Sequence, residues 1–187
     1  MFLRFFIAHI IFLNFFLNIN IKADEKQSII NHLSEINNFS FDFVQTSGKK
    51  REVGNCLLAF DNKLKCNYDD ELQKEIIVNN KTLVVLQKRY DKIFFYPVKK
   101  TLFINILSKE KLISLIQKSD LVLNDNIELI YLDKNMKKIS VYFDKKSYKI
   151  NGWLIEDEFQ NEIYFSLKIK KINIDIKKNY FRIPSLN

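Results

Sequence analysis

Few side chains in this chain of 187 residues have the type and spacing that chemistry needs. Of its two histidines only His32 lies beyond residue 23, and no cysteine or carboxylate stands near it at metal-ligand spacing. The three glycines, Gly48, Gly54 and Gly152, are too scattered for a phosphate-cradling loop. Ser40, Ser114 and Ser166 sit in no motif that would activate a hydroxyl. The acidic runs Asp69-Asp70-Glu71 and Glu156-Asp157-Glu158 read as solvated turns rather than paired catalytic carboxylates. An enzyme, a metal and a cofactor are therefore not expected, and an exported hydrolase would need a nucleophile that these residues do not supply. What the chain has in quantity is apolar side chains at alternating positions, the lining of a surface that holds an apolar ligand.

That alternation is sharpest between Asn38 and Tyr68. Phe39, Phe41 and Phe43 recur with a period of two and so share one face of a strand. After the polar turn Ser47–Lys50, Cys56, Leu58 and Phe60 share a face, as do Leu64, Cys66 and Tyr68 beyond Asp61-Asn62-Lys63. A hairpin centred on Asp61 pairs positions whose numbers sum to 122, setting Leu58 against Leu64 and Cys56 against Cys66. In an oxidising compartment the two cysteines would form a cross-strand disulfide; the alternative is two reduced, buried thiols acting as small hydrophobes.

The elements that position these faces follow in order. Asp24–Asn37 carries Ile29, Ile30, Leu33 and Ile36 at helical spacing behind an acidic start, an amphipathic helix that should lie on a sheet. Glu75–Val78 and Thr82–Gln87 form a hairpin through Asn79-Asn80-Lys81, since Asn enters the left-handed region more readily than other non-glycine residues. Ile93–Val98 is a strand that Pro97 confines to an edge or an end. Ser108 is a good N-cap for a short helix with Leu112, Leu115 and Ile116 on one side. Strands are then expected at 121–123, 127–132, 139–143, 149–156 and 162–174, with a last one at Tyr180–Ile183 before Pro184. Two helices among so many strands imply one large, curved antiparallel sheet in a single domain, 24–187.

Residues 1–23 have the layout of a secretory signal peptide: Arg4, an apolar stretch from Phe5 to Leu17, and Ala23 before the cut. The alternative is an uncleaved anchor, although a spanning helix wants about 20 predominantly apolar residues and Asn14, Asn18 and Asn20 interrupt this one. No cysteine stands at the cleavage point, so no acyl anchor is expected. Residues 24–187 carry 28 Lys plus Arg against 22 Asp plus Glu. Lys49-Lys50-Arg51, Lys99-Lys100 and Lys170-Lys171 interleave with no recognisable nucleic-acid motif. These charges read as solvated faces, with some attraction to acidic partners or an anionic membrane surface.

The order of helix, FSFDFVQTSGK, GNCLLAFDNKLKCNY, EIIVNNKTLVVL, FFYPVKKTLFINIL, helix and YFRIPS resembles the outer-membrane lipoprotein carrier family, LolA. Phe43-Val44-Gln45, Gly54, Leu64, Tyr68, Asn80-Lys81-Thr82-Leu83 and Thr101 fall where that family's pattern expects them. The chain departs from it in three places. Phe60-Asp61 replaces an Arg-Pro turn whose arginine fastens the lid in that family, Leu102 replaces a proline, and Cys56 and Cys66 replace an aliphatic and an aromatic. The resemblance implies an unclosed antiparallel β-barrel, or half-barrel, of about eleven strands covered by an α-helical lid, mainly β with two or three helices. It implies a monomeric periplasmic carrier, with no part in binding nucleic acid. Such a carrier takes acylated lipoproteins from an inner-membrane lipoprotein-releasing ABC transporter and hands them to an outer-membrane lipoprotein receptor. The same fold could instead serve a periplasmic regulatory module that binds a lipid or a protein.

For a carrier, Phe39, Phe41, Phe43, Leu58, Phe60, Leu64, Leu83, Val85, Phe94, Leu112 and Ile116 are the residues expected on or near the acyl-binding interior. Each could equally be ordinary core packing. At about 0.8 kcal/mol per buried methylene, full enclosure of one long acyl chain would give on the order of 10 kcal/mol. Handover would then be slow, so partial burial under a movable lid is expected.

Overall fold

The computed structural model describes residues 22–60, 62–100, 104–134, 136–156 and 160–184. The expected signal peptide, apart from Lys22 and Ala23, lies outside these, as do Asp61, Thr101 and Leu102. Eleven strands form one antiparallel sheet: β1 (Asn38–Ser47), β2 (Lys50–Ala59), β3 (Lys63–Tyr68), β4 (Lys74–Asn79), β5 (Thr82–Gln87), β6 (Lys92–Pro97), β7 (Asp120–Leu123), β8 (Ile127–Leu132), β9 (Lys138–Phe143), β10 (Ile150–Glu156) and β11 (Glu162–Ile172). Their spatial order is β6-β5-β4-β3-β2-β1-β11-β10-β9-β8-β7. The strands at the two ends, β6 and β7, do not pair with each other, so the sheet curves without closing into a barrel. Bulges between Ser40 and Phe41 against β11, and between Ile150 and Gly152 against β9, add local bend and twist.

Three helices accompany the sheet: α1 (22–34), α2 (Ile104–Leu107) and α3 (Lys109–Lys118). Helix α1 buries Ile29 and Leu33, one helical turn apart. Ser108 caps α3, its hydroxyl accepting from the Lys111 amide, and Leu112, Leu115 and Ile116 are buried on one side as the spacing predicts. None of the helices described is long and apolar enough to cross a membrane.

The sheet's two faces bury different things. The concave face, with the helices over part of it, holds the main core, including Phe39, Leu58, Leu64, Val78, Ile106, Leu107, Leu112 and Ile116. The convex face holds a small second cluster of Ile77, Val84 and Leu86, with Ile93 and Ile183 against it. Tyr180–Ile183, expected as a twelfth strand, is instead a turn and irregular tail lying across that convex face. There it meets the sheet's side chains rather than an open edge, so it has no strand to pair with. It is fastened by burial of Phe181 and by a bond from Asn79 Nδ2 to the Phe181 carbonyl (3.2 Å).

Candidate functional site: an apolar cavity in the concave face

Strand register assembles the site from residues distant in the chain. Reading across partners, Phe94, Val85, Ile76, Cys66, Cys56, Phe41 and Ile169 form one continuous row over seven strands. The next row is Tyr96, Leu83, Val78, Leu64, Leu58, Phe39 and Ile172. Every member of both rows is apolar or aromatic, because a period of two sends all of them to the concave side. Seven of the eleven residues expected at the interior lie in these rows: Phe39, Phe41, Leu58, Leu64, Leu83, Val85 and Phe94.

An apolar cavity of about 400 Å³ opens over part of this surface, lined by Phe41, Gln45, Cys56, Leu64, Cys66, Tyr68, Lys74, Ile76, Leu83, Val85, Trp153, Ile155, Ile163 and Phe165. The volume lies in the lower part of the range of roughly 300–1,000 Å³ usual for small-molecule sites. No residue of α1, α2 or α3 lines it. Ile76, Leu83, Val85, Ile155, Ile163 and Phe165 are only partly buried although they belong to the concave face. The helices thus cover one part of the trough and leave the other uncovered.

The expected residues divide accordingly. Phe41, Leu64, Leu83 and Val85 line the cavity. Phe39, Phe43, Leu58, Leu112 and Ile116 are buried in the main core instead and do not open onto the cavity. Phe60, also buried, stacks beneath Lys109 of α3 (5.4 Å from Nζ to the ring centroid) and is likewise absent from the lining. Phe94 is 39% exposed on the terminal strand β6, beside Val85. Ile76, Trp153, Ile155, Ile163 and Phe165 join the lining without being among the residues the sequence marks out. Ile163, Phe165, Leu167 and Ile169 nonetheless alternate with Tyr164, Ser166 and Lys168, a readable signal that their long sequence separation from Phe41 obscures.

The cysteines form the disulfide, Cys56–Cys66, on the paired register that the hairpin predicts. It lies in the cavity wall, where it replaces two independently mobile side chains by one cross-link.

At one end of the cavity the lining turns polar. Tyr68 Oη donates to Gln45 Oε1 (2.7 Å), and Lys74 Nζ donates to Glu52 Oε1 (2.5 Å) while standing 3.7 Å from the centroid of the Tyr68 ring. Lys50 adds a second contact to Glu52 at 3.0 Å. Burial pushes the Glu52 carboxyl upward, but the hydrogen bonds and charges of Lys74 and Lys50 outweigh it and hold the group below its ordinary value. Burial first, and then the charges of Glu52 and Asp70, push the Tyr68 hydroxyl well up, so it stays a neutral donor. The groups satisfy one another and form a fixed polar rim to an apolar hollow. No cluster of His, Cys, Asp and Glu among the described residues could hold a metal ion.

A larger hollow of about 520 Å³ lies on the convex side under the C-terminal tail, with Asp42, Asn55, Lys170, Asp175 and Lys177 among its lining. Its wall is mostly apolar, with Phe41, Leu57, Ile174 and Tyr180 beside those charged groups.

The lid is held without the arginine that the family places at its Arg-Pro turn. Lys26 of α1 donates to the Ser119 carbonyl (2.6 Å) and the Gln117 carbonyl (3.2 Å) at the C-terminal end of α3. Lys109, the first residue of α3, donates to the Ser34 carbonyl (3.2 Å) at the end of α1. Each helix therefore offers a cation to the carbonyl end of the other, where the helix dipole favours positive charge. The Asn62 amide donates to the Leu107 carbonyl (3.2 Å) and ties α2 to the β2–β3 turn.

Sheet, lid and trough together define an open β half-barrel built around an apolar concavity. The chain belongs to the LolA family, outer membrane lipoprotein carrier protein LolA, whose sequence profile matches residues 34–184. Among curated proteins none matches the sequence. Two solved structures with TM-scores of 0.50 or more share the fold. An uncharacterized conserved protein of Thermus thermophilus is 9% identical, with a TM-score of 0.53 over 84% of this chain and 93% of that one. The Pseudomonas aeruginosa MucA/MucB complex contains a chain 10% identical, with a TM-score of 0.50 over 87% of this chain and 61% of that one. Mycobacterium tuberculosis lipoprotein LppX is 13% identical, with a TM-score of 0.49 over 84% of this chain and 98% of that one.

Proposed function

We propose that this protein is a non-enzymatic carrier of the cell envelope that holds acyl chains of lipoproteins in its concave cavity and moves them from the inner to the outer membrane. The observation that carries this reading is the apolar hollow of about 400 Å³ left open beside a helical cover in a chain of the LolA family. A rim of mutually satisfied polar groups and a wall of apolar ones suit a hydrocarbon tail entering with its polar end toward solvent. Uncovered side chains such as Leu83, Val85 and Ile163 leave the cargo partly exposed, which keeps handover feasible. The carrier acts in the periplasm as a monomer, receiving cargo from a lipoprotein-releasing ABC transporter and giving it to an outer-membrane receptor. No nucleotide is needed on the carrier itself.

Depletion of the protein followed by membrane fractionation tests the proposal. Lipoproteins should accumulate in the inner membrane as the protein is lost. An unchanged distribution contradicts the carrier and favours the regulatory module of the same fold, which would bind a lipid or protein without moving it.

A further inference from the structure

The terminal strand β6 has features that the cavity does not use. Tyr90, Phe94, Phe95 and Tyr96 are 55%, 39%, 46% and 48% exposed, and they fall within seven consecutive residues. Phe94 and Tyr96 pair with Val85 and Leu83 of the concave face, while Phe95 pairs with Val84 of the convex face. Phe94, Phe95 and Tyr96 thus project from both sides of a strand whose outer edge has no neighbour in the sheet, and Tyr90 stands in the turn just before it. Cations flank them. Lys88, Arg89 and Lys92 stand at one end, and Lys81, Lys99 and Lys111 line a groove beside Pro97 at the other. Lys88 and Arg89 contact Glu75 and Glu71, but Lys81, Lys92, Lys99 and Lys111 have no ion pair among the described residues. Asp91 is the single carboxylate between Lys88 and Lys99.

We propose that the exposed aromatic edge strand β6, with its flanking lysines, docks on the surface of an anionic lipid bilayer. Tyrosine and phenylalanine bordered by lysine are the side chains that settle at a membrane interface, and each nearby cation is attracted by anionic headgroups. A strand of six residues spans roughly 20 Å, which separates the two groups of cations and lets both meet headgroups while the rings enter between them. A fluid interface can wrap an edge from both sides, which a single flat protein surface cannot. A second copy fits poorly, because edge-to-edge antiparallel pairing would set Lys92 of one chain against Pro97 of the other, close to its Lys99. The unpaired backbone of β6 keeps the contact at headgroup depth, since bare N–H and C=O groups are not tolerated in hydrocarbon. Docking so places Phe94 and Tyr96, the ends of the two rows that run into the cavity, at the level where acyl chains emerge. That last consequence rests on the carrier reading; the docking itself does not.

The test is sedimentation of the purified protein with vesicles of phosphatidylcholine alone and of phosphatidylcholine with about 30 mol % phosphatidylglycerol, at low and high salt. Binding is expected to the anionic vesicles only, to weaken with salt, and to fall by about tenfold or more in Phe95→Glu and in the double variant Lys92→Glu, Lys99→Glu. Both variants should keep the thermal midpoint and the uptake of a fluorescent fatty-acyl probe, which shows that fold and cavity are intact. The proposal is overturned by equal binding to neutral and anionic vesicles, by no binding to either, by variants that bind as the parent does, or by a concentration-dependent dimer that Phe95→Glu dissociates. Vesicle binding without probe uptake would remove the carrier reading and leave the docking surface standing.

Discussion

Lys26 Nζ reaches the carbonyl of Ser119 at 2.6 Å, so the first helix holds the last turn of α3 by a single charged donor. With the reciprocal bond from Lys109 to Ser34, this pairing ties α1 and α3 to each other at both ends. A charged hydrogen bond contributes about 1.5–3 kcal/mol at most when sheltered and less when exposed, which suits the releasing cover that the proposed carrier needs. Lys26→Met with Lys109→Met should raise amide exchange in 104–118 well above that of the sheet and speed dissociation of a bound acyl probe. Exchange no faster than in the parent would show that apolar packing alone holds the lid.

Gly54 permits the close packing behind the cavity's polar rim. A Cβ at this position would collide with the Asn67 carbonyl oxygen and stand 2.9 Å from Cε1 and Cζ of Phe43, and the backbone oxygen cannot yield as a flexible side chain would. Phe43 in turn packs edge-on against Tyr68, ring centroids 4.8 Å apart. Gly54→Ala should cost about 1–3 kcal/mol in chemical denaturation by overpacking, with the loss of near-ultraviolet signal from the displaced rings.

Glu52 gives a pH signature. Its folded pKa is depressed, so its contribution to stability is complete above the ordinary carboxyl value of 4.5 and is lost as pH falls through the lower folded value. Its side chain is 9% exposed and meets both Lys74 and Lys50. Glu52→Gln should therefore lose about 1–3 kcal/mol at neutral pH. The gap from the parent should narrow steadily below about pH 4.5, as urea midpoints measured across that range would report.

The Cys56–Cys66 link closes a short loop, with a sequence separation of 10. Loop-closure entropy assigns it about 3 kcal/mol at most. Thermal melts with and without reductant should differ by several degrees for the parent and not at all for Cys56→Ala with Cys66→Ala.

Much of this was legible in the sequence because a period of two fixes which face a side chain takes. The register of the β2–β3 hairpin, the cysteine pairing, the Asn80 turn with its left-handed φ of 57° and the edge position imposed by Pro97 all follow from local rules. The face of Phe39, Leu58 and Phe43 was legible too, but not whether helix side chains would fill the space above them. That depends on where α1 and α3 settle, which is a tertiary outcome. Trp153 and Phe165 escape a local reading for a related reason. They meet Phe41 and Phe43 only through the β1–β11 and β10–β11 pairings, contacts more than 100 residues apart in sequence, to which local spacing gives no access. The tail at Tyr180–Ile183 shows the converse: its alternation is strand-like, but the convex face offers it no free edge.

Uptake of a hydrocarbon chain by the uncovered part of the concave face is tested most directly by titration of the purified protein with a fluorescent fatty-acyl probe. Val85 lines the cavity and is partly exposed, so Val85→Trp should fill the hollow without disturbing the core beneath. The parent should bind the probe saturably at one site, and Val85→Trp should weaken binding by about tenfold or more while keeping its melting temperature. A parent that binds no probe, or a Val85→Trp variant that binds it as tightly as the parent, would contradict uptake at this face.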